Sequence, residues 1–167
     1  MKKLLLIPFL LSLAFSGFGQ NNIRKLPEVS LKNLKGETIN STSLLNSEGL
    51  TVINFWATWC KPCMLELSNI KDLYADWKKE TKVKIVAVSI DDSRNTPKVG
   101  PLVSGKGWTY DIMLDANGDF KRALNVNNIP HTFVVNTKGE IIWQHNSYAP
   151  GDEDELYEII QKNSAKP

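Results

Sequence analysis

Cysteine is nearly absent from this sequence: two in 167 residues, Cys60 and Cys63. A framework of several bridges is therefore excluded, and so is a four-cysteine metal site. Histidine is as scarce, at His131 and His145. Charge of one sign is not in excess. The formal net charge is +2, and setting aside Lys2 and Lys3 leaves 18 basic against 18 acidic residues. No basic field remains to draw nucleic acid. Repeats and low-complexity tracts are missing, and no apolar run beyond the first residues is long enough to cross a bilayer. With 42% hydrophobic and 23% charged residues, the chain fits one globular domain with a sizeable core.

The N-terminus, MKKLLLIPFLLSLAFSGFGQ, has two lysines before an apolar run from Leu4 to Phe15. Gly17 and Gly19 suit the −3 and −1 positions of a cleavage site, which predicts a signal peptide over 1–19. An uncleaved anchor is the alternative, but the run is short for a span and carries Pro8. No cysteine follows the run, so a lipid anchor at this junction is excluded. The expectation is a soluble mature protein outside the cytoplasm, periplasmic or secreted, with a linker over 20–27 and one domain over 28–167.

Downstream, LPEVSLKNLKGETINSTSLL alternates around Lys35-Gly36 and predicts a small hairpin or two short strands. Residues 50–57, LTVINFWA, read as a buried strand. From Pro62 to Lys79 the positions Leu65, Leu67, Ile70, Leu73, Tyr74 and Trp77 recur at helical spacing. Residues 83–90 and 109–114 read as further strands. Residues 94–107 read as a short helix made irregular by Gly100-Pro101, and 119–126 as a short helical segment. HTFVVN and EIIWQH form a hairpin through Thr137-Lys138-Gly139. DEDELYEIIQKN closes the chain as a helix, its acids in the first turn where the macrodipole favours them. That explains the acidic cluster better than a cation site does. The order predicts an α/β fold, a mixed sheet with helices on both faces and a short β preface.

The two cysteines fall in NFWATWCKPCMLEL. As a staple they are poorly placed, since so small a loop is worth ~2 kcal/mol against nearly 5 for a hundred-residue loop. Zinc needs four ligands, and the two histidines have no finger-like spacing. A peroxidase-type cysteine needs no partner two residues away. A redox pair remains. Cys60 lies where strand gives way to helix, and there free N–H groups and the dipole stabilise a thiolate. Lys61 adds a positive charge beside it, and Pro62 fits the first helical turn. Cys63 lies one turn in and is more sheltered. An exposed thiol that attacks and a buried one that resolves suit disulfide exchange.

FWATWCKPC at the end of a buried strand, with NIPHTFVV far downstream, resembles the thioredoxin superfamily, and within it the TlpA/ResA-like thiol–disulfide reductases. LPEVSLKNLKGE resembles that branch's added N-terminal strands. The resemblance implies a cis peptide at Ile129-Pro130, against the C-x-x-C, with the Ile129 backbone pairing with substrate by strand addition. It implies a proton-transfer role for Glu66, for which the alternative is a solvated first-turn acid. Asn54, where thioredoxin has a buried aspartate, agrees with the branch and moves proton handling towards Glu66. His131 follows the proline, where the branch often has threonine. It is expected near the dithiol, either titrating near neutrality or as a half-buried strand residue. Trp59 is expected to shape the surface around Cys60 and Trp56 to pack in the core, while Asp91 and Asp92 read as loop acids.

The expected activity is extracytoplasmic disulfide reduction, with no organic cofactor or metal beyond the Cys60–Cys63 disulfide. The partners implied are disulfide-bearing proteins, apocytochrome c among them in some members (hence cytochrome c maturation), and a membrane thiol transporter as electron donor. The expected form is a monomer. The alternatives are a disulfide oxidase or isomerase and, in another class, a non-catalytic binding or chaperone module.

Overall fold

The computed structural model describes residues 23–164, so the leader expected over 1–19 lies outside the described residues. The centre of the molecule is built by two runs that are apolar on both faces. β3 (Thr51–Trp56) is buried at every position, and β4 (Lys84–Ser89) lies parallel beside it. Such runs belong in the middle of a covered sheet. β5 (Asp111–Leu114) extends it in parallel, and the hairpin of β6 (His131–Val135) and β7 (Ile141–Asn146) adds antiparallel on the other side of β3. β1 (Ser30–Asn33) and β2 (Thr38–Asn40) form the preface, with β1 antiparallel to β5. The seven strands run β2-β1-β5-β4-β3-β6-β7.

Strand alternation divides the core in two. Val52 and Trp56 of β3 and Val134 of β6 face α1 (Lys61–Thr81), α2 (Val99–Lys106) and α4 (Asp152–Asn163). Ile53, Phe55, Phe133 and Val135 face α3 (Asp119–Ala123) and the N-terminal segment. Trp56 is fully buried and meets Trp108 edge-on at 5.1 Å.

The structure corrects several expectations. In α1 the buried stripe is Cys63, Glu66, Leu67, Ile70, Tyr74, Trp77 and Thr81, which leaves Leu65 and Leu73 on the outer face. Glu66 is thus four residues before Ile70 on the inward side, and helix phase alone carries it into the core. The expected irregularity near Gly100-Pro101 is a change from 3-10 to α-helix just before Gly100. A 3-10 turn (Thr96–Lys98) precedes α2, so Pro101 falls in the first α-helical turn, where its missing N–H matters little. The far end of the expected linker is docked as well: Lys25 bridges Glu140, Leu26 N–H donates to Gly139 O at 2.8 Å, and Leu26 is buried. Among the described residues no helix is long and apolar enough to cross a membrane.

Candidate active site

β3 delivers the chain to a tight turn in which Cys60 N–H donates to Ala57 O at 3.0 Å. Cys60 then caps α1, with Cys63 N–H donating to its Sγ at 3.3 Å and Pro62 in the first turn. The two cysteines are joined in a disulfide, their Cα atoms 5.3 Å apart. The helix N-terminus therefore aims a real donor at the outer sulfur, as the strand-to-helix junction predicts.

Exposure differs from expectation in degree. Cys63 is fully buried, but Cys60 in this oxidised form is only 5% exposed. The outward surface is carried by its neighbours, Trp59 at 63% and the exposed Lys61 and Pro62. Ile129 is half-buried and packs against the apolar cluster that includes both cysteines. The Ile129-Pro130 peptide is cis. The register pairs Phe55 with His131, so Ile129 and Pro130 reach the same end of the sheet from which β3 runs on to Cys60. Pro130 O accepts from Ser147 N–H, while among the described residues the Ile129 backbone has no partner. That leaves it free for an incoming extended segment.

Glu66 is 5% exposed, and burial raises its pKa to about 7, opposed by the neighbouring polar groups of Asn54 and Thr132 and assisted by Asp152 and Glu153. Asn54 Nδ2 donates to Thr132 Oγ1 at 2.8 Å, and Thr132 Oγ1 donates to Glu66 Oε1 at 2.9 Å. Two acceptors in this buried group, Glu66 Oε2 and Asn54 Oδ1, have no donor. A proton on Glu66 supplies one. Burial and the unmet acceptors both favour the protonated carboxyl.

His131 is placed differently from expectation. Thr132 faces α1, so by alternation His131 faces the other layer, where its ring stacks on Phe133 at 4.5 Å. Its side chain is on the opposite side of the sheet from the dithiol. Burial lowers its pKa, with Arg24 acting in the same direction. The half-buried strand residue is the correct alternative. Asp91 lies in the loop after β4, as expected, but is 1% exposed and hydrogen-bonded to Thr58. Thr132 was missed altogether, although its place two residues before inward-facing Val134 marks it as inward too.

A cleft of about 620 Å3 lies near the far end of α1, lined by Lys78, Lys79, Lys82 and Asp111, and one of about 360 Å3 lies beside β1 and α3. None of the dithiol residues lines either. Among the described residues no group of three His, Cys, Asp or Glu side chains is placed to hold a metal ion.

The family model described as AhpC/TSA matches residues 23–144, from the docked N-terminal segment to β7. The chain belongs to the AhpC/TSA family. Within it, the chain is 38% identical over 117 residues to the thiol-disulfide oxidoreductase ResA of Oceanobacillus iheyensis, covering 69% of this chain and 59% of that protein. It is 33% identical over 112 residues to the sporulation thiol-disulfide oxidoreductase A of Bacillus subtilis, covering 66% of each. The chain thus spans 59% and 66% of the length of these two curated relatives. Among solved structures it resembles a thioredoxin-like protein from Porphyromonas gingivalis (TM-score 0.75, 47% identity, 83% of this chain and 91% of that one). It also resembles StoA from Bacillus subtilis (TM-score 0.63, 27% identity, 80% and 97%). The fold is thioredoxin-like, and the cysteine pair has C-x-x-C spacing.

Proposed function

We propose that this protein is a thiol–disulfide oxidoreductase that reduces disulfides of extracytoplasmic proteins through Cys60 and Cys63. The observation that carries the reading is the dithiol at a helix N-terminus, with Cys63 N–H on the Cys60 sulfur and a proton-exchanging Glu66 on the same inward stripe. The names of the relatives above support it. The open surface around Trp59 and the free Ile129 backbone suit a polypeptide substrate better than a small molecule, which would call for a concave pocket.

In the reducing direction the Cys60 thiolate attacks one sulfur of the substrate disulfide. The substrate bond breaks, a Cys60–substrate bond forms, and the first substrate thiolate leaves and takes a proton from solvent. Cys63 then loses its proton to the ionised Glu66 and attacks the Cys60 sulfur. The Cys60–substrate bond breaks, and the second thiolate leaves and is protonated in turn. Two electrons have passed to the substrate, and the enzyme holds the Cys60–Cys63 disulfide. A second reading, oxidation of substrate thiols, is favoured by the Cys63 N–H bond and by Lys61, which stabilise the Cys60 thiolate and so the reduced enzyme.

The same reading includes export by the N-terminal segment, monomeric action, and a membrane thiol protein that returns electrons in an oxidising compartment, with cytochrome c maturation as one setting. Insulin reduction with Cys60→Ala as control tests the chemistry: activity that survives the substitution overturns it. Equilibration with glutathione or dithiothreitol settles direction, about −250 mV supporting a reductase and about −120 mV an oxidant.

A further inference from the structure

Asp91 is a buried carboxylate for which the exchange steps above have no use. It lies just beyond β4, 1% exposed, and among the described residues no Lys, Arg or His is within ion-pair distance of it. Its oxygens instead accept three hydrogen bonds. Oδ2 takes Thr58 N–H at 2.8 Å and Ser89 Oγ at 2.8 Å, and Oδ1 takes Thr58 Oγ1 at 2.7 Å. An asparagine could accept at only one of the two terminal atoms, because the other would carry N–H donors. Burying a carboxyl group is unfavourable unless its hydrogen bonds are complete.

Two of the three bonds end on one residue, and that residue has a particular place. Thr58 is the second residue of the turn closed by Cys60 N–H on Ala57 O. The turn holds Trp59 outward and delivers Cys60 to the α1 N-terminus, where Cys63 N–H reaches its sulfur. β4 is itself tied to β3 at this level, with Ile90 N–H donating to Trp56 O at 2.9 Å. The carboxylate therefore couples the end of the rigid sheet to the one irregular segment that aims the nucleophile.

We propose that Asp91 and Thr58 form a clamp that holds the Cys60 sulfur over the α1 N-terminus. Asp91 is then a positioning residue for disulfide exchange, touching neither substrate nor the reacting sulfurs. The proposal rests on the dithiol reading of the site. Its readout is the pH dependence of Cys60 alkylation by iodoacetamide in the full chain carrying Cys63→Ala, which leaves one thiol and keeps the backbone N–H. Thr58→Val removes one arm of the clamp without changing charge, Thr58→Ser keeps it, and Asp91→Asn weakens both arms.

The expected result is an alkylation midpoint raised by about one pH unit in Thr58→Val and in Asp91→Asn, with near-tenfold slower labelling below it. Thr58→Ser is expected to behave as the parent. A lower melting temperature in Thr58→Val with an unmoved midpoint makes the contact merely structural and overturns the proposal. So does a midpoint that falls in Asp91→Asn and stays in Thr58→Val, because Asp91 then acts through charge. A chain with both cysteines intact that fails to reduce insulin, while the Cys63→Ala chain labels as expected, removes the proposed function and leaves the clamp standing.

Discussion

Replacing Glu66 by glutamine separates the two things this side chain does, and the structure sets the size of one of them. Burial raises the carboxyl from 4.5 to about 7 in the folded protein. At about 1.4 kcal/mol per unit, holding the ionised form in the fold costs about 3 kcal/mol of stability. The sign follows from proton counting. Below about pH 4.5 the group is protonated folded or unfolded, and its contribution to stability is fully present. Between about pH 4.5 and 7 the unfolded chain ionises first, and that stability is progressively lost. Above about pH 7 the loss is complete. Glutamine cannot ionise, keeps an oxygen for Thr132, and brings an N–H into a group where Glu66 Oε2 and Asn54 Oδ1 lack a donor.

Urea unfolding of the oxidised protein at a series of pH values measures this. The variant and the parent should be close near pH 4, and the variant should gain on the parent by up to about 3 kcal/mol by pH 8. Its rate of insulin reduction should meanwhile fall on the order of a hundredfold, since the acceptor for the Cys63 proton is gone. More stable and less active is the expected signature. Parallel stability profiles of parent and variant would refute the buried, titrating carboxyl, and unchanged reduction would refute its role in proton transfer.

Thr132→Val removes the hydroxyl shared by Asn54 and Glu66. It should destabilise by about 2 kcal/mol in urea and raise the pH at which reduction becomes fast. Trp59→Ala should leave stability within about 0.5 kcal/mol, because the side chain is 63% exposed, and weaken insulin reduction through KM. Gly49→Ala would put a Cβ 2.8 Å from Lys82 O, the backbone at the C-terminus of α1, and should lower stability by about 1–3 kcal/mol with the reduction potential unmoved. For His131 the folded pKa is depressed, so stability is lost as pH falls below about 6.5. His131→Phe, which keeps the stack on Phe133, should flatten that part of the acid-denaturation profile.

The features that sequence reading recovered are those carried by local signals. β3, β4 and α1 announce themselves by an apolar run or a helical period, and they locate the Cys60 cap because strand, turn and helix follow one another without a gap. What was missed is non-local. Leu65 and Leu73 share the helical period of the core stripe yet face outward, since periodicity identifies a stripe but packing selects its phase. Leu26 was read as linker because nothing nearby reveals the Gly139 carbonyl waiting for its N–H. The burial of the loop acid Asp91 is not legible because Thr58, its main partner, is 33 residues earlier in the chain.

His131 and Thr132 show how narrow that margin is at the site itself. They are neighbours just after the cis proline, and the antiparallel register sets Thr132 beside Asn54 and His131 beside Phe55. One residue of parity sends Thr132 to Glu66 and the histidine to the far layer. The residue with the more conspicuous chemistry is thereby excluded from the dithiol, and a hydroxyl completes the proton site. The consequence is electrostatic. A protonated histidine on the inner face would have stabilised the carboxylate of Glu66 and lowered its pKa towards the ordinary range. With only neutral Asn54 and Thr132 opposing burial, Glu66 keeps a pKa near neutrality, high enough to hold a proton and low enough to release it. Moving the histidine inward, by Thr132→His combined with His131→Thr, should lower that pKa and erase most of the stability lost between about pH 4.5 and 7. A profile that kept its full slope would show that burial alone, whatever the neighbour, governs Glu66.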